Sequence, residues 1–131
     1  MHEYRFPRQK KTDRNHYAAM DYAQVPNFMR VLRQKQVRST GASALEFVIL
    51  TACRTGEALG AQWSEFDFEN RVWTLKPERT KQARAHTVPL SDRAMELLTL
   101  QRQYANGSPY VFTGYFGTKV DDKIMRACCC P

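Results

Sequence analysis

Arg54, Glu57, Lys81 and His86 are the residues whose types and spacing could do chemistry, and that chemistry would be on a phosphate. Arg54 stands where an apolar helical pattern stops, in the run Arg54-Thr-Gly-Glu57. A guanidinium fixed at the end of a buried helix can aim two N–H donors at a phosphate without rearranging. Glu57, a turn further on, can hold that guanidinium from behind. The same spacing also fits an ordinary surface ion pair of little energetic weight. Lys81 lies in Lys76-Pro-Glu-Arg-Thr-Lys-Gln-Ala-Arg-Ala-His86, a segment with four Lys or Arg residues and one acid. An ammonium at such a tip can neutralise a phosphate, enter a nucleic-acid groove, or give a proton to a leaving oxygen. By composition alone a solvated basic loop is the better fit. His86 has no partner motif and reads as a hydrogen-bonding residue at the start of a strand. Trp63 and Trp73 read as core.

The elements that must position these groups are legible from periodicity. Asp21 and Gln24 suggest a capping box for a helix over 22–34, with Val25, Phe28, Met29 and Leu32 as its apolar stripe and Pro26 in its first turn. Residues 37–41 form a connector. Ser43 and Glu46 suggest a second capping box, opening a helix over 43–53 whose apolar residues run nearly all the way round, as in a core helix. Gly56 permits a tight junction into a short helix over 57–62. From Trp63 the period becomes two, giving strands over 65–68, 71–75 and 85–88, with Glu69-Asn70 at the first turn and the basic loop at the second. Pro89 puts the last strand at a sheet edge or at its own end. A further helix follows, capped by Ser91 or Asp92, with Leu90, Ala94, Leu97 and Leu98 on one face. Asn106-Gly-Ser-Pro109 is a loop and Tyr110-Val-Phe112 a short apolar segment, after which no pattern is evident.

Bulk properties narrow the classes. The chain has 131 residues, 43% hydrophobic and 25% charged, enough for one domain with a modest core. Twenty Lys and Arg against 13 Asp and Glu give a net charge of +7, which favours a polyanionic partner. The longest apolar stretch is too short to cross a bilayer, and the charged N-terminus is no secretory signal, so no membrane partner is expected. Of the four cysteines, Cys128, Cys129 and Cys130 are consecutive, and none has a partner at zinc-binding spacing. They are expected to be free thiols in a reducing cytoplasm.

Taken together, the blocks Thr51-Ala-Cys-Arg-Thr-Gly-Glu-Ala-Leu59, Trp63-Ser-Glu-Phe-Asp67, the Lys81 hairpin and His86-Thr-Val-Pro-Leu-Ser91 resemble one family in order and spacing. That family is the tyrosine recombinases of the phage-integrase type, carried by temperate phages and genomic islands. The resemblance covers about Asp21 to Gln103 and includes Tyr22-Ala-Gln-Val-Pro-Asn-Phe-Met-Arg-Val-Leu32 as the first helix of the catalytic domain. It implies an α+β fold, mainly helical, with a small three-stranded antiparallel sheet. It also implies double-stranded DNA as partner, tetrameric assembly of intact members on that DNA, and attack by a tyrosine that forms a 3′-phosphotyrosine without cofactor or metal. In that chemistry, arginines stabilise charge on the non-bridging phosphate oxygens and a hairpin lysine protonates the leaving oxygen. Arg54 matches the first arginine, Lys81 the hairpin lysine and Glu57 the bracing acid. His86 aligns with a frequent strand-edge residue. Lys76, Arg79, Arg84 and His86 are expected to contact DNA.

The chain also departs from the family pattern. The family's second block is His-x-x-Arg followed by the nucleophilic tyrosine, yet the histidines here are His2, His16 and His86. His2-Glu-Tyr-Arg5 has the right letters on the wrong side of Arg54, and Tyr110 and Tyr115 lack the family's context. The expected organisation is therefore a basic linker over 1–20 and a partial catalytic domain over 21–131, cut short by a frameshift or premature stop. On that reading the isolated chain is a monomer that does not cleave or join DNA. Two alternatives remain: a non-catalytic basic DNA-binding module, and a truncated remnant without function.

Overall fold

A computed structural model describes residues 19–36 and 39–128. The expected arm over 1–20 therefore lies almost wholly outside the described residues, as do part of the 37–41 connector, Cys129 and Cys130. The order of elements is α1 (Val25–Lys35), α2 (Thr40–Thr51), α3 (Thr55–Leu59), β1 (Phe66–Asp67), β2 (Val72–Leu75), β3 (His86–Pro89), α4 (Asp92–Arg102) and α5 (Asp122–Ala127). This is the expected α+β architecture, helices around a three-stranded antiparallel sheet in the order β1-β2-β3.

Local chemistry explains most boundaries. Asp21 Oδ1 accepts the Ala23 N–H at 3.3 Å, a 3-10 turn follows, and Pro26 sits where a missing N–H costs least. Of the expected α1 stripe Leu32 is fully buried, while Val25, Phe28 and Met29 are half-buried. Helix α2 begins three residues earlier than the capping-box reading of Ser43 and Glu46 placed it. Ser39 is the cap, its Oγ accepting the Ala42 N–H at 3.3 Å. Ser43 and Glu46 instead face inward: Ser43 Oγ accepts Gln101 Nε2 at 2.9 Å, and the Glu46 side chain is 0% exposed. Nor does α2 bury its whole circumference, since Ile49 remains 45% exposed.

The junction after α2 is made differently from the expectation as well. The chain reverses at Ala52, in the left-handed region at φ 51°, and α3 starts at Thr55 with Gly56 already inside it. A non-glycine residue in that conformation carries strain, and here it turns the backbone directly ahead of Arg54.

The sheet places Trp73 opposite Phe66 on one side and Val88 on the other. Asp67 Oδ1 shapes the first turn by accepting the N–H groups of Glu69 and Asn70 at 3.1 and 3.0 Å. β3 is an edge strand ending in Pro89, as its sequence required. Trp73 and Leu75 point into a core where Phe47 of α2 packs on Trp73 at 5.2 Å and on Phe112 at 5.5 Å between ring centroids. Ser91 caps α4, and Leu90, Ala94, Leu97 and Leu98 close the core from that side, as the pattern indicated. The Val111 N–H reaches the Ala61 carbonyl at 2.9 Å, tying Tyr110-Val-Phe112 to the segment before β1.

Helix α5 has no counterpart in the sequence reading. It is six residues long, capped by Asp121, and contributes Met125 to the core next to Val120. It lies so close to α2 that a Cβ on Gly41 would meet the Ile124 carbonyl oxygen at 2.8 Å.

Glu46 joins three helices through its carboxylate. It accepts Arg33 Nε of α1 at 2.8 Å, Arg93 Nε and Nη2 of α4 at 3.0 Å each, and Gln36 Nε2. Burial alone pushes a carboxyl group's pKa up. Here the hydrogen bonds from Arg93, Gln36 and Arg33 outweigh burial and lower it from 4.5 to about 2.

Candidate active site

Arg54 occupies the N-cap position of α3 with extended backbone, φ −75° and ψ 147°. Glu57 holds it twice: Oε2 accepts the Arg54 backbone N–H at 3.0 Å, and Oε1 accepts Nη1 at 3.3 Å. The Glu57 side chain is 10% exposed and that of Arg54 56%, so a nearly buried acid orients an exposed guanidinium. Among the described residues Nε and Nη2 of Arg54 have no protein partner. The guanidinium is thus fixed in place by one edge and available at the other.

Across from it stands the loop between β2 and β3. Its base is a 3-10 turn over Pro77–Arg79. The Thr80 hydroxyl then accepts the Arg84 N–H at 3.1 Å and donates to the Arg84 carbonyl at 2.7 Å. One side chain thereby closes a five-residue loop around Lys81, with Ala83 at φ 52° making the reversal. Arg54 and this loop enclose a cleft of about 440 Å³ whose lining includes Cys53, Glu57, Thr80, Arg84 and His86. Burial, and then the charge of Glu57, push the pKa of the half-buried Cys53 thiol up, while the Thr51 hydroxyl donates to its sulfur at 3.1 Å.

The structure thus brings together four of the residues singled out from sequence: Arg54, Glu57, Arg84 and His86. His86 starts β3, paired with Leu75, and is exposed. Lys81 is exposed at the tip; its neighbours Thr80 and Gln82 line the cleft and it does not. Lys76 is exposed at the end of β2, away from the cleft lining. Arg79 turns inward: it pairs with Glu65 through Nη1 and donates from Nη2 to the Glu57 carbonyl at 2.8 Å. Sequence reasoning did not single out Thr80, Ala52, Glu65 or Gly60. Thr80 carried a usable signal, being a hydroxyl four residues ahead of the loop's last arginine.

Comparison with known proteins identifies the family. The phage integrase family model matches residues 18–127, and the chain belongs to that family, the tyrosine recombinases. It is 33% identical over 89 residues to the prophage integrase IntA of Escherichia coli K12, covering 68% of this chain and 22% of that protein. It is 30% identical over 122 residues to the integrase of Enterobacteria phage P4, covering 83% of this chain and 28% of that protein. The chain therefore spans about a quarter of the length of these relatives. The fold matches the solved integrase of transposon Tn1549, determined in complex with circular-intermediate DNA. The TM-score is 0.62 at 16% identity, over 85% of this chain and 41% of that one.

Proposed function

We propose that this chain contributes the phosphate-gripping part of a site-specific DNA recombinase. Arg54 would hold a non-bridging oxygen of the scissile phosphate, with Glu57 setting its angle, while Lys81 at the hairpin tip meets the same phosphate as a proton donor. Arg84 and His86 on the cleft wall, with Lys76 further out, engage the flanking backbone of double-stranded DNA. The observation that carries this reading is the cleft itself, which sets an oriented, half-free guanidinium against a basic hairpin. Preorganised cations of this kind stabilise charge that develops on phosphate oxygens. The family chemistry implied by the resemblance is transfer through a 3′-phosphotyrosine. Among the described residues no tyrosine lines the cleft, and the role proposed for the cleft is grip and proton transfer.

The test is equilibrium binding of the purified chain to a short duplex across a salt series. Each phosphate contact contributes about −0.9 to the slope of log K against log salt. Replacing Arg54 or Arg84 with Ala should weaken binding and flatten that slope by about one contact each. Binding that ignores both substitutions would refute the cleft as the DNA site. Incubation with a nicked or phosphorothiolate duplex gives a second check: covalent capture by this chain would show that it supplies the nucleophile itself.

A further inference from the structure

Arg79 has the composition of a DNA contact and the surroundings of something else. Its side chain is 21% exposed and faces Glu65, whose side chain is 4% exposed. Glu65 is itself committed on its other oxygen, which accepts Trp73 Nε1 from the core strand β2 and the Gln62 N–H, each at 3.1 Å. The remaining arm of the guanidinium reaches the Glu57 carbonyl at 2.8 Å, in the same residue whose carboxylate orients Arg54. Gly60 makes room for this: a Cβ there would stand 2.7 Å from Arg79 Nη2.

We propose that Arg79 is a positioning residue that locks the base of the Lys81 hairpin onto α3, so that Arg54 and the hairpin cations address one phosphate together. The planar fork suits this role. One N–H meets a carboxylate on the sheet side and another meets a carbonyl on the helix side, a span that a lysine ammonium cannot reproduce as two directed bonds. Thr80, the next residue, then closes the loop onto Arg84. The chain from Arg54 through Glu57, Arg79 and Thr80 to Arg84 is therefore continuous, linking the two walls of the cleft. This assignment rests on the DNA-binding function proposed above.

Gly60→Ala offers a test that leaves every charge in place. Its methyl group meets the end of the flexible Arg79 side chain first and the Gly56 carbonyl oxygen at 3.3 Å second, and at φ −91° the backbone suits alanine. Alongside Gly60→Ala, Arg79→Gln and Arg79→Lys would be measured in two ways: amide hydrogen exchange over residues 80–88 without DNA, and duplex affinity well below each melting temperature. The role predicts faster exchange over 80–88 in all three, and affinity lower by about tenfold, the equivalent of one charge-assisted hydrogen bond to phosphate. Wild-type affinity and exchange in Gly60→Ala would overturn it. So would a result in which Arg79→Lys binds like wild type while Arg79→Gln loses one contact from the salt slope, because that marks a direct phosphate ligand. Lower melting temperatures with unchanged exchange and affinity would reduce Arg79 to a structural ion pair. Failure of the unaltered chain to bind any duplex would remove the proposed function, whatever the exchange data show.

Discussion

Replacing Glu46 with Gln changes one oxygen into an NH₂ group inside the junction of α1, α2 and α4. The carboxylate accepts hydrogen bonds from two arginines and a glutamine, and its side chain is fully buried. Its pKa falls from 4.5 to about 2 on folding, which corresponds to about 3 kcal/mol of stabilisation at neutral pH. Breaking a buried ion pair from one side costs about 3–5 kcal/mol when the remaining charge is stranded. Here the arginines keep 48% and 33% exposure and can regain water, so the lower figure applies. The expected loss is about 3 kcal/mol, or a drop of about 10 °C in melting temperature for a chain of this size. The pH dependence is equally specific. A carboxyl whose folded pKa is depressed stabilises fully above its unfolded value, and that contribution fades as pH falls from 4.5 toward 2. Urea melts of both proteins at pH 7 and pH 3.5 should show the gap between them narrowing by about 1 kcal/mol at the lower pH. A gap below about 0.5 kcal/mol at pH 7, within the range of an ordinary surface substitution, would refute the argument. So would a gap that does not change with pH.

Other substitutions probe other parts of the same account. Phe47→Ala should cost about 3–5 kcal/mol in a denaturant melt, because the ring packs against Trp73, Phe66 and Phe112 at the centre of the core. Gly41→Ala sets a methyl group against the backbone of Ile124, which cannot step aside as a side chain would; a loss of about 1–3 kcal/mol is expected, with faster amide exchange in α5. Ala52→Gly should relieve the left-handed turn before Arg54 and raise stability by about 0.5–1 kcal/mol, read from the same melts. Lys81→Ala should leave stability unchanged, since the residue is exposed, while reducing the salt slope of duplex binding by about 0.9.

Sequence alone revealed the elements whose burial is one-sided and whose ends are capped. Helix α4 shows both, with Ser91 as its cap between Leu90 and the apolar residues Ala94, Leu97 and Leu98, so its start and its buried face were legible. Alternation did the same for β2 and β3, where Trp73, Leu75 and Val88 face inward. The start of α2 was misread because Ser43-x-x-Glu46 has the letters of a capping box, and letters do not reveal that both side chains are buried against α4 and α1. Gly56 was credited with a turn that Ala52 makes, since propensity favours glycine and tertiary packing overrode it. Helix α5 is too short to show a period, and its order comes from contact with α2. At the site, Arg54 and Glu57 are three residues apart, so their pairing was readable as local chemistry. The pairing of Arg79 with Glu65 was not readable in the same way, because the two are 14 residues apart and meet only once the hairpin forms.

The position of β3 at the margin of the sheet bears on how copies of this protein treat one another. Open strand edges invite a neighbouring molecule to add a strand of its own, the first step toward sheet-like aggregates. This edge is four residues long and ends in Pro89, which has no N–H to offer an incoming backbone. It begins at His86, on the wall of the cleft. The sheet thus has a border that resists zipping to a second copy of itself, and an added strand is kept from the cleft mouth.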